Sequence, residues 1–253
     1  MTDVIQTRRR ISCGVLCLSA VAWVYLTLWS RTDPVEFTGA TESLAGAMCI
    51  NGVLIAQSGF TSPLTLLTGA SMFGWAIMIV AMMFPTLIAP LTHLAQRSFR
   101  NKRAALIALF LMTYLYLWIL AGTLLLFGAR ALRQAFSDTP AGLIMLVLTL
   151  ALVWQCSPSK QQCLNRNHLH PALRAYGIGS YLDAVRFGLW HGFWCVGSCW
   201  ALMLLSTVFV VAHQPVMLLL TFIMLTESMQ VPTKPAWEWR LVPSRKLRRL
   251  VAP

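Results

Sequence analysis

Apolar residues in this chain gather in long runs separated by short polar and basic segments. The runs near 11–30, 70–92, 104–127 and 186–212 are long enough to cross a hydrocarbon core of about 30 Å. Two shorter runs, 140–156 and 215–231, carry no basic residue and are counted as spans as well. The pattern predicts an all-α polytopic membrane protein, about six transmembrane helices in a single membrane domain over 1–253, with a basic cytoplasmic tail at 232–253. In the first run Ala20-Val21-Ala22 resembles a leader cleavage site, but the apolar stretch continues to Trp29, so an uncleaved anchor is expected. Residues 31–69 form the longest external segment. Its middle, Leu44–Ala56, is apolar but too short to span, which leaves it on the membrane surface or tucked against the helices.

Composition agrees with this class. Of 253 residues 57% are hydrophobic and only 11% charged, less than half the charged share of a soluble domain. The net charge of +12 might suggest nucleic acid, but its distribution argues against that. With the N-terminus inside, Arg8–Arg10, the group Arg97 to Arg103, Lys160, Arg166, Arg174, Arg186 and the basic residues from Lys234 to Arg249 share one side. Only Arg31, Arg130 and Arg133 fall on the other. That asymmetry is what the positive-inside rule requires of a multi-pass membrane protein with both termini cytoplasmic. The charge is topogenic, and the RKLRR stretch at 245–249 suits anionic lipid. The seven cysteines form no disulfide framework. Cys13, Cys17, Cys195 and Cys199 fall in apolar spans, Cys156 and Cys163 at a cytoplasmic boundary and Cys49 outside, and reduced thiols are expected for most of them.

Candidate chemistry concentrates in the fifth run, which reads HGFWCVGSCWALM at 191–203. His191, Cys195, Cys199 and Met203 recur every four residues, drifting only about 40° per step on a helix, so all four share one face. One imidazole, two thiols and a thioether suit a soft metal ion, with Cu(I) the best fit. The plainer reading is that Cys and Met pack as ordinary apolar residues. Ala184, Gly188 and Gly192 form a second stripe at the same spacing, where another helix can approach closely.

Three further features bear on this ladder. In the second run Met78 and Met82 precede Pro85, which should kink the helix just beyond them. The loop from Ser157 to Tyr181 holds Lys160, Cys163, His168 and His170, either a secondary metal cluster or a solvated loop with incidental histidines. Glu227, about a turn from the end of the last run, is costly at that depth unless paired. It is placed near the height of His191 as a charge partner or orienting group, with Lys234 or loop arginines as the other candidates to hold it. The third run, with Tyr114, Tyr116 and Trp118, reads as scaffold.

AMMFP at 81–85, SPSKQQCL at 157–164, HGFWCVGSCWALM at 191–203 and Glu227 together resemble the bacterial integral-membrane family DUF2182, described as predicted metal-binding membrane proteins. The resemblance covers roughly residues 70–230 and implies metal binding. This chain departs from the family pattern at Ser198, where a second adjacent cysteine is usual, and at Asn167, Ser228 and His213. Position 198 lies about 100° from Cys199 on a helix, so the ladder survives that departure.

The expectation is therefore an integral membrane protein that binds or hands over a soft metal ion, most naturally Cu(I), to a metal chaperone or membrane-protein partner. The alternative is a non-metal assembly subunit that docks another membrane protein through its small-residue helix faces. Homo-oligomerisation is left open. An enzyme is not expected. A thiol oxidoreductase is disfavoured because thiols four apart on a regular helix point outward in parallel, and there is no phosphate-binding glycine loop and no hydrolytic triad.

Overall fold

The computed structural model of the protein describes residues 2–32, 69–208 and 213–237. Among them every regular element is helical: α1 (Thr2–Thr32), α2 (Gly69–Met83), a 3-10 turn (Phe84–Leu87), α3 (Ile88–Gln96), α4 (Arg103–Ala135), α5 (Pro140–Cys156), α6 (Pro158–Asn167), α7 (Gly179–Val208) and α8 (His213–Ser228). Most of the external segment, with Leu44–Ala56 and Cys49, and the RKLRR stretch lie outside the described residues.

Four segments are long and apolar enough to cross a membrane: Val4–Leu28, Met72–Gln96, Arg103–Ala135 and Gly179–Val208. α5 and α6 taken together would make a fifth, bent by 62°. The expected six is not reached among the described residues. α8 has 16 residues, about 24 Å at 1.5 Å per residue, which falls short of a core of about 30 Å.

Pro85 breaks the second span as expected, and the break takes the form of the 3-10 turn. Proline has no N–H, so the carbonyl four residues back, that of Ala81, loses its helical donor. α1 replaces it: Ser19 Oγ donates to Ala81 O at 2.7 Å and Trp23 Nε1 at 3.1 Å. A buried carbonyl in an apolar surround must find such partners, and this one locks α1 against the kink.

The centre of the molecule is the α4–α7 pair, the most extensive helix interface. The two run parallel: Phe110 lies near Phe187 at one end, and Arg133 caps Thr207 O at 2.7 Å at the other. On α4 the buried residues Leu106, Phe110, Tyr114, Trp118, Gly122 and Leu126 recur every four positions, and this stripe meets the small-residue stripe of α7. A Cβ on Gly188 would sit 2.8 Å from Phe110 O, and one on Gly192 would sit 3.0 Å from Leu117 Cδ1. Ala184, Gly188 and Gly192 are all buried. The stripe is thus filled by α4 of the same chain.

Candidate metal centre

The register read from spacing is realised on α7, where His191, Cys195, Cys199 and Met203 are all buried. Cys195 and Cys199 are free thiols. Tyr114 of α4 reaches Cys195, its hydroxyl 3.3 Å from Sγ. Ser198 donates to Cys195 O at 2.9 Å and lies 3.3 Å from Cys199 Sγ. The position where a second thiol was expected thus holds a hydroxyl that braces the helix beside Cys199. His191 occupies an aromatic chamber, with ring centroids of Phe110, Tyr114 and Phe187 at 6.0, 6.1 and 6.2 Å. Met78, Met82 and Met83 are buried in the same core as Met203.

The segment from Ser157 departs from expectation. Pro158–Asn167 is a helix instead of a solvated loop. Ser157 adopts an extended backbone between α5 and α6, and its side chain accepts from Lys160 N at 3.1 Å, capping α6. Pro158 occupies the first turn, where its missing N–H costs nothing. The break carries Lys160 into the interior, where it is fully buried. Its ammonium donates to Glu227 Oε1 at 2.8 Å and to Gln155 Oε1 at 2.5 Å, and it lies 2.7 Å from Glu227 Oε2 as an ion pair. Gln155 Nε2 closes the triangle by donating to Glu227 Oε1. Glu227 is therefore held by Lys160 and Gln155, which corrects the expected pairing with Lys234 or the loop arginines and the expected support of His191.

The loop candidates do not form one cluster. Cys163 is buried, with Sγ so close to α7 that a Cβ at Gly197 would come within 2.9 Å. His168 Nδ1 faces Leu164 O at 2.8 Å and Nε2 faces Ser228 O at 3.1 Å, so neither nitrogen is directed at a metal. His170 stands apart and pairs with His93, ring centroids 4.9 Å apart. Among the described residues no group of three or more His, Cys, Asp or Glu side chains converges as a metal set. What the fold brings together is the Tyr114 hydroxyl and the Cys195 thiol, with the Met203 thioether buried in the same core.

Three residues of this region carried little signal in the sequence. Tyr114 was legible only as one polar tip in an apolar four-residue stripe, Gln155 as a lone amide at the end of a span, and His93 as an isolated histidine before a basic loop.

Residues 72–242, more than half of the chain, match the family model PpoB2, described as copper chaperone. The chain belongs to the PpoB2 copper-chaperone family. No curated protein and no solved structure matches it. Membership gives this chain a copper-related role, and the matched stretch contains the kinked α2, the α5–α6 break, the α7 ladder and Glu227.

Proposed function

We propose that this protein is a non-enzymatic membrane chaperone that holds Cu(I) on the α7 ladder and passes it to a protein partner. The observation that carries the reading is the pair of free, buried thiols, Cys195 and Cys199, continued by the fully buried thioether of Met203 on one helix face. Thiolate and thioether ligands select Cu(I) over harder ions. Donors spaced one turn apart, in place of a rigid cage, suit a cargo that must move on. In this scheme Cys195 and Cys199 are the principal ligands, Met203, Met82 and Met78 are weaker stations, and His191 is the ligand nearest the basic loops. Membership of DUF2182 and placement in the bacterial inner membrane with both termini cytoplasmic belong to the same proposal. The long apolar helices and the one-sided basic loops support the membrane placement, and the AMMFP, SPSKQQCL and HGFWCVGSCWALM motifs support the membership. The docking-subunit alternative is weakened because α4 already fills the Ala184, Gly188 and Gly192 stripe.

The test is elemental analysis of detergent-purified protein after anaerobic preparation from copper-supplemented cells, beside Cys195→Ser, Cys199→Ser and the double variant. Near-stoichiometric copper whose sulfur-bound fraction, read by X-ray absorption, is lost in Cys199→Ser and the double variant supports the ladder. Unchanged copper in folded variants overturns it.

A further inference from the structure

His93 and His170 come from separate parts of the chain, the last turn of α3 and the segment after α6, yet their rings lie 4.9 Å apart at 49°. Nε2 of His93 lies 3.1 Å from Pro171 O. A carbonyl oxygen only accepts, so Nε2 is the nitrogen that donates, and this contact leaves Nδ1 unengaged. Metal-binding imidazoles are commonly oriented in this way, one nitrogen held by a backbone acceptor and the other left as the ligand. His170 is exposed and His93 half-buried, so the pair is reachable from outside. Both rings contact Phe187, at 6.0 and 6.1 Å, and Phe187 contacts His191, the first rung of the ladder, at 6.2 Å. A surface imidazole pair is thus one aromatic ring away from the buried donors.

We propose that His93 and His170 form a two-imidazole copper site at the mouth of the ladder, where the ion is received before it moves inward past Phe187 to His191. Imidazole nitrogen binds copper well, and two protein ligands leave coordination positions open for the ligand of a delivering partner. The inward direction rests on the ladder reading above; the imidazole site itself does not.

The experiment titrates Cu(I) against a chromogenic chelator into detergent-purified full-length protein. It compares the wild type, His93→Gln/His170→Gln, Cys195→Ser/Cys199→Ser and the fourfold variant, with ligand type read by X-ray absorption and folding by circular dichroism. The expected result is nitrogen-only copper in the thiol variant that is absent from the fourfold variant. In the same background His93→Asn or His170→Asn alone should weaken binding by about tenfold or more. Equal copper in the thiol and fourfold variants overturns the proposal, as does sulfur-bound copper with no nitrogen-bound fraction in any sample. Nitrogen-bound copper in a wild type that has no sulfur-bound copper sustains the imidazole pair while removing the ladder.

Discussion

Lys160 and Glu227, 67 residues apart in sequence, meet as a buried ion pair at 2.7 Å where the α5–α6 break faces the end of α8. Removing one partner strands a charge in a dry interior, at a cost of about 3–5 kcal/mol, whereas replacing both with apolar residues of similar volume is often near neutral. Glu227→Gln or Lys160→Met should therefore lower the unfolding midpoint in detergent strongly. Lys160→Met/Glu227→Leu should recover most of the loss. A double variant as unstable as the worse single one would show that the pair does more than satisfy its own charges.

Gly188 and Gly128 make a matched contrast. A side chain at Gly188 meets the backbone oxygen of Phe110, which cannot rotate away, whereas nothing lies within 4 Å of a Cβ at Gly128. Gly188→Ala should cost about 1–3 kcal/mol through overpacking. Gly128→Ala should be neutral or stabilising by up to about 1 kcal/mol. Thermal unfolding of the two variants in parallel reads the difference.

Tyr114 offers a finer test of the copper site. If its hydroxyl supports Cys195 as a ligand, Tyr114→Phe should keep copper stoichiometry but weaken Cu(I) retention by about fivefold, the equivalent of one net hydrogen bond of about 1 kcal/mol. Chelator competition measures it. An unchanged affinity would limit Tyr114 to packing.

The carbonyl of Ala81 has two donors from α1, so the single losses should be mild. Ser19→Ala and Trp23→Phe each leave one donor in place. Together they orphan a buried acceptor, which should cost about 1–3 kcal/mol beyond the sum of the two. A double-mutant cycle on unfolding gives that excess directly.

The acid side of the stability profile should carry a His170 signature. Its pKa in the folded protein is depressed by burial and by His93, so the unfolded chain binds the proton first. Stability should then fall as pH drops below the ordinary histidine value of 6.5 towards the lower folded value, and be unaffected above it. His170→Gln should flatten that limb in a pH series of unfolding midpoints.

The sequence by itself determined the features that follow from the local period of a helix. Long apolar runs gave the helical class and the spans over α2, α4 and α7. Four-residue spacing placed His191, Cys195, Cys199 and Met203 on one face, and a proline at 85 required a break beyond Met82. Each depends only on neighbours within a turn or two. Tertiary structure alone decided which helix fills the Gly188 stripe, which hydroxyl reaches Cys195, and which cation holds Glu227. Those contacts join residues tens of positions apart, and the cost of burying an unpaired charge selects Lys160 only once the chain breaks at Ser157 and turns inward. The solvated-loop reading of 157–181 failed, and the count of six spans is not reached among the described residues, for related reasons. α6 is polar by composition yet partly buried by contact, and α8 is apolar through its middle yet too short to cross alone.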